Sequence, residues 1–362
     1  MPNPTAPPTA TKKQPPRVPF ELNGCRIEAG QRALVELPLP GLYSSAKLTM
    51  PVHVLHGRRS GPTLFISAAV HGDEINGIEV IRQLLTMRTL SQLRGTLLAL
   101  PVVNPYGLIH QSRYLPDRRD LNRSFPGSEN GSLTGRVAHQ FMEQIVRRCS
   151  HGIDLHTGAL HRSNLPQIRA NLDDPETERL ARAFGVPVLL NAALRDGSLR
   201  EAAAELGIPM LLYEAGEALR YDRTAIQAGV RGILHVMRAL GMLSQRRNGP
   251  TTPTLEPVVA RSSLWVRSPG SGMLHQAVAL GTRVDSGDPI GRISDPFSGK
   301  STRLEAPCHG VVIGRAETPQ CHEGEALFHI ARFGRDLSEA AEQVESFQQE
   351  FIDEQSDTNR WF

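Results

Sequence analysis

TLFISAAVHGDE, residues 63–74, is the stretch from which the fold is read. Its first eight residues, Thr63 to Val70, are a short and almost wholly apolar run, the pattern of a strand buried on both faces. The run ends directly in His71, Gly72, Asp73 and Glu74. A histidine and a carboxylate three residues apart therefore stand at the carboxyl end of a strand, where α/β sheets collect their ligands.

Outward from this stretch the pattern repeats. Thr96 to Val103 (TLLALPVV), Gly152 to His156 (GIDLH), Val186 to Leu190 (VPVLL) and Met210 to Glu214 (MLLYE) are short, apolar and bounded by Gly, Pro or Asn, as strands are. Between them Ile75, Ile78, Ile81, Leu84 and Leu85 recur at helical spacing, as do Val137, Phe141, Ile145 and Val146. Asp174 before Pro175 opens a helix that Gly185 ends, and Ser198 with Glu201 forms a capping box for a helix closed by Gly207. Residues 19–246 thus read as an α/β domain built around a sheet. Composition then turns polar and rich in Pro and Gly, which marks 247–257 as a linker. Residues 258–332 show no sustained helical period but dense turn chemistry (PGSG, LGTRVDSGDP, APCHG), the signature of a small, barrel-like β domain. Within 333–362, Leu337, Ala340, Ala341, Val344, Phe347 and Phe351 predict a C-terminal amphipathic helix.

Composition narrows the function. A chain of 362 residues exceeds one ordinary domain, and 40% hydrophobic with 21% charged residues is a soluble composition. No apolar run reaches the roughly 18 residues that span a bilayer, so no membrane partner is expected. Residues 1–18, with prolines at 2, 4, 7, 8, 15 and 16, read as a disordered tail and not as a secretory signal. Cys25, Cys149, Cys308 and Cys321 are scattered without CxxC spacing, which fits a reducing, cytoplasmic compartment. A net charge of +3 without a basic stripe argues against nucleic acid. Lysine occurs only at 12, 13, 47 and 300, so nearly all the positive charge is arginine, the residue suited to bidentate carboxylate binding.

By itself HxxE is a short pattern that a surface histidine beside a helix-start acid also produces. Here Gly72 permits a sharp turn, and His71 and Glu74 can supply two of the three protein ligands of a catalytic zinc. In DLHTG, residues 154–158, alternation puts Asp154 and His156 on one face and Leu155 on the other. His156 then becomes the third ligand, and Asp154 can orient a histidine from behind. Glu214 closes an apolar strand, a costly place for a carboxylate unless it does acid–base work beside the metal. SRYLPDRRDLNRSFPG, residues 112–127, is dense in arginine and supplies cations for a substrate carboxylate or an oxyanion.

HGDE at 71–74, DLNRSFPG at 120–127, DLHTG at 154–158 and YEAG at 213–216 together, in this order, resemble the succinylglutamate desuccinylase/aspartoacylase family. The resemblance covers about residues 45–332. It implies a zinc carboxypeptidase-like core with a mixed, mostly parallel sheet flanked by helices, followed by the β domain as a cap over the active site. It also implies Zn2+ held by His71, Glu74 and His156, with Glu214 activating water and Asn122 and Arg123 on the substrate carboxylate. Arg113 corresponds to the family's carbonyl-polarising arginine, with Arg118 the alternative, and Arg200 to a second substrate arginine. The chain departs from the aspartoacylases proper in having HGDE for HGNE, and no tyrosine follows Tyr221.

The expected activity is hydrolysis of the amide bond of a small acidic N-acyl amino acid. Two rivals remain: a carboxypeptidase trimming acidic residues from a peptide or protein tail, and a non-catalytic binding protein on the same fold. An open groove would favour the former, and loss of the metal set the latter. A homo-oligomer is compatible with the sequence.

Overall fold

The computed structural model describes residues 17–43, 45, 47–245 and 256–356. The strand Arg59–Ala68 lies within a 13-stranded sheet, parallel to Arg94–Leu100 on one side and to His151–Gly158 on the other. Leu64 and Ile66 enter the core on one face of the sheet and Phe65 the core on the other. A strand covered on both faces gains nothing from polar alternation, which explains the continuous apolar run.

Met210–Glu217 adds a fourth parallel strand beside His151–Gly158. The sheet is mixed, because Thr49–His56 and Arg32–Pro38 continue one side antiparallel and Arg162–Ala170 lies antiparallel to Met210–Glu217. The carboxyl ends of three parallel strands, at Ala68, Gly158 and Glu217, thus lie side by side. Helices Asn76–Thr86, Pro175–Phe184 and Arg223–Ala239 contribute to one core, and Leu133–Gln144 and Leu199–Glu205 to the other. Their caps follow the sequence signals. Asp174 accepts from Thr177 N, Gly185 sits at φ +85°, and Ser198 Oγ accepts from Glu201 N while Glu201 reaches back to Gly197 N.

Nothing in RSNLPQIRA, residues 162–170, announces a strand, since it holds two arginines, an asparagine, a glutamine and a proline. Its outer edge is shared. Residues 162–164 pair with Gly310–Ala316 and residues 167–170 with Val188–Asn191, so Pro166, which has no N–H to give, falls where the partner changes.

That pairing revises the expectation of a separate barrel. Gly310–Ala316, Ala326–Arg332 and Ser262–Arg267 extend the main sheet in that order, whereas Gly272–Gln276, Pro289–Ser294, Ser301–Glu305 and Gln320–Cys321 form a four-stranded sheet of their own. The physical reason is that the polar strand Arg162–Ala170 presents unpaired backbone along its outer edge, and a strand edge recruits a partner.

The helix Leu337–Ser356 appears where its spacing predicts. Phe347 and Phe351 enter the same core as Ile153 and Leu155, and Arg231 pairs with Glu350 at 2.5 Å. Most of the expected linker and tail lie outside the described residues, but Arg17 is anchored, donating to the carbonyls of Gly57 and Gly95 at 2.9 and 2.7 Å. Among the described residues no helix is long and apolar enough to cross a membrane.

Candidate active site

After Ala68 the chain turns sharply, with Ala69 at φ +50°, and delivers His71 and Glu74 above the sheet. Gly72 is required by close approach, because a Cβ there would lie 1.9 Å from the carbonyl carbon of Gly107. The neighbouring strand carries His156 near its carboxyl end, with Asp154 on the same face and Leu155 in the core behind. His71, Glu74 and His156 are buried, and their ligand atoms lie within 4.8 Å of one another.

Glu74 stands between the two rings, with Oε1 2.7 Å from His71 Nδ1 and Oε2 2.7 Å from His156 Nδ1. The outer nitrogens are also met by carboxylates: Asp120 Oδ1 lies 3.1 Å from His71 Nε2, and Asp154 Oδ2 2.7 Å from His156 Nε2. Asp154 is itself fixed by Ser67 Oγ at 2.6 Å. Burial alone would lower both histidine pKa values, but Glu74 with Asp120 raises that of His71, and Asp154 with Glu74 raises that of His156 well above its ordinary value. Burial works to raise the pKa of Glu74, and the two histidines overcome it and hold it far below the usual carboxylate range.

Each ring faces a carboxylate oxygen on both nitrogens, an arrangement that favours positive charge on the ring or beside it. The facing carboxylates satisfy both nitrogens of an imidazolium, and a divalent cation held by His71, Glu74 and His156 would stand in for the ring protons, with Asp120 and Asp154 as the carboxylates that back the rings. The donor set therefore fits a metal ion.

The triad opens onto a cavity of about 250 Å³. Arg113 lines it and is held by Asp120 at 2.9 Å and Glu74 at 3.3 Å, whereas Arg118, at φ +61° in the same loop, is not part of the lining. Asn122 and Arg123 also line it. Asn122 Oδ1 accepts from Leu199 N at 2.9 Å, so the asparagine fastens this loop to the start of the Leu199–Glu205 helix. Arg200, on that helix, is buried and donates to the carbonyls of Ala192 and Ala193. Burial, and then the nearby Arg169, bring its pKa down to about 10. Glu214 Oε2 accepts from Asn164 Nδ2 at 2.6 Å and lies 3.4 Å from Arg169.

His71, Glu74, Arg113, Asn122, Arg123, His156, Arg200 and Glu214 all line this one cavity, Asp154 lies behind His156, and several residues that sequence reasoning missed line it too. Arg162, Asn164 and Arg169 come from the unannounced strand, Arg195 from the loop before the Leu199–Glu205 helix, and Trp265 from the C-terminal β region. Trp265 stacks on His329 at 4.5 Å with rings 8° apart, and the Arg162 guanidinium lies 5.5 Å from its ring centre. Asp120 was visible as the first residue of DLNR, but its link to His71 and Arg113 depends on the folded loop.

A mixed α/β sheet with a buried His–Glu–His set at its parallel strand ends defines a class of fold, and the comparisons narrow it. The succinylglutamate desuccinylase/aspartoacylase catalytic domain matches residues 60–240, half of the chain. The chain belongs to this family. The N-alpha-acetyl-L-2,4-diaminobutyric acid deacetylase of Halomonas elongata is 28% identical over 325 residues, covering 87% of this chain and 93% of the relative. The solved succinylglutamate desuccinylase/aspartoacylase of Rhodobacter sphaeroides superposes with a TM-score of 0.73 at 25% identity, covering 84% of this chain and 96% of that one. The product-bound ectoine utilization protein of Ruegeria pomeroyi, with a TM-score of 0.75 at 24% identity over 88% of this chain and 99% of that one, shares the fold.

Proposed function

We propose that this protein is a zinc-dependent hydrolase that cleaves the amide bond of a small acidic N-acyl amino acid. The observation that carries the reading is that the His71, Glu74 and His156 set and Glu214 face one cavity lined by six arginines. A zinc ion held by the three ligands supplies Lewis acidity and a readily deprotonated water.

Glu214 has one oxygen engaged by Asn164 and Arg169, and its other oxygen takes the proton of the attacking water and returns it to the leaving amine. Arg113, already beside Glu74, donates to the carbonyl oxygen as negative charge develops on it. Asn122 and Arg123 hold one substrate carboxylate, and Arg200 a second. Asp120 and Asp154 fix the histidine rings from behind.

The charge of the cavity separates this substrate from that in the Halomonas relative's name. Diaminobutyric acid carries a side-chain amine, a cation at neutral pH, and the arginines Arg162, Arg169, Arg195 and Arg200 would repel it where they welcome a carboxylate. The test is elemental analysis of protein purified without chelator, together with hydrolysis of acidic N-acyl amino acids, short acidic peptides and N-alpha-acetyl-2,4-diaminobutyrate. We expect about one zinc per chain, lost in His71→Ala and His156→Ala, and preference for the acidic acyl amino acids. A protein that takes up no zinc overturns the reading, and preference for peptides replaces it with the carboxypeptidase.

A further inference from the structure

We propose that Asn164 is a positioning residue for Glu214 and that Gly314, contributed by the C-terminal β region, holds Asn164 in its working orientation. The inference rests on the reading of Glu214 as the base and assigns a task to residues outside every sequence motif.

A glutamate side chain at a strand end has several rotamers and two equivalent oxygens, so a base must be held if one oxygen is to meet the water. Both side-chain contacts to Glu214 come from one strand and fall on one oxygen: Asn164 Nδ2 at 2.6 Å and Arg169 at 3.4 Å, both to Oε2. Asn164 is only 6% exposed. Its amide must present the NH2 end to the carboxylate, because the carbonyl end would set two acceptors against each other.

What sets that orientation is the strand on the far side. Asn164 stands opposite Gly216 on one flank, just past a register shift that follows Glu214, and opposite Gly314 on the other. A Cβ at Gly314 would lie 2.7 Å from Asn164 Oδ1 and 3.2 Å from His329 Cβ. Gly314 has no positive φ, so glycine is there for space and not for conformational freedom. The amide oxygen packs into that space while the amide nitrogen reaches Glu214. The C-terminal β region therefore touches the chemistry through two residues, as well as walling the cavity with Trp265.

The test compares Asn164→Ala, Asn164→Asp, Gly314→Ala and the double variant Asn164→Ala/Gly314→Ala with Glu214→Gln, in zinc-loaded protein of verified fold. Asn164→Ala should lower kcat by about 10- to 100-fold with KM within about twofold, since it acts on the base and not on substrate binding. Asn164→Asp keeps the shape but replaces the donor by an acceptor, so it should lose at least as much; a purely structural asparagine would leave it close to wild type. Gly314→Ala should lower kcat in the wild-type background and have little further effect on Asn164→Ala, because the group it displaces is gone. Wild-type kcat in Asn164→Ala and Asn164→Asp, with Glu214→Gln inactive, overturns the positioning role alone. An active Glu214→Gln overturns the reading of the base and this inference with it.

Discussion

At the His–Glu–His end of the cavity both nitrogens of His71 and His156 and both oxygens of Glu74 have partners within 3.3 Å, and carboxylates stand behind each ring. At the other end, among the described residues, Arg169 has a buried Nε with no partner, Arg200 is held only by two long bonds to backbone carbonyls, and Glu214 is the one carboxylate lining that part of the cavity. His329, behind Trp265, has its pKa pushed down to about 3 by burial and then by Arg169 and Arg195. The contrast teaches which part is complete without substrate. The His–Glu–His end is organised by the chain's own acids, whereas the arginine end keeps cations close together at a cost that a bound anion would offset.

The strongest way to break this comparison is at the residue between the two ends. Glu214→Gln should reduce kcat by roughly 10³-fold on any accepted acyl amino acid, measured by single-turnover hydrolysis, and a near-normal rate would detach the base from the metal. Next, Arg200→Ala should cut kcat/KM for a dicarboxylic substrate by about 100-fold while leaving zinc content unchanged, since only the arginine end is altered. Asp154→Asn tests the His–Glu–His end alone: zinc affinity, read by competition with a chelator, should fall about 10- to 100-fold because His156 loses its anionic backing. Arg195→Glu, a reversal at an exposed position, should move the preference between acidic and amine-bearing substrates by about 10-fold toward the amine.

The smallest effect concerns acid stability. An unfolded His329 takes up a proton near the ordinary histidine value of 6.5, and the folded one only near 3, so between these values the unfolded state binds more protons and folding weakens as pH falls. Melting temperatures of the wild type and His329→Gln, followed from pH 7.5 to 4.5, should converge toward the acid end. Parallel curves would show that the arginines do not keep this ring neutral.

The His–Glu–His end was legible because its residues stand at or just past the ends of largely apolar strands, so His71, Glu74 and His156 read as interruptions, as does Glu214 between the two ends. The arginine end was not, and the reason is local. Arg162, Asn164 and Arg169 turn a central strand into a polar sequence, and Pro166 argues against a strand unless its neighbour is known to change at that point. Arg113 was preferred to Arg118 in sequence on the resemblance alone, and the folded loop puts Arg113 in the cavity lining while Arg118 is not among the lining residues. Trp265 lay in a segment recognised as β-rich, but its contact with the cavity exists only because Gly310–Ala316 joins the main sheet.

The packing of the final helix also bears on how the protein is made. Ile153 and Leu155, in the strand that presents His156, share their core with Phe347 and Phe351. During synthesis these phenylalanines leave the ribosome almost two hundred residues after the strand whose core they share. The core beneath the triad is therefore completed by contacts between residues far apart in sequence, whose closure comes late in folding.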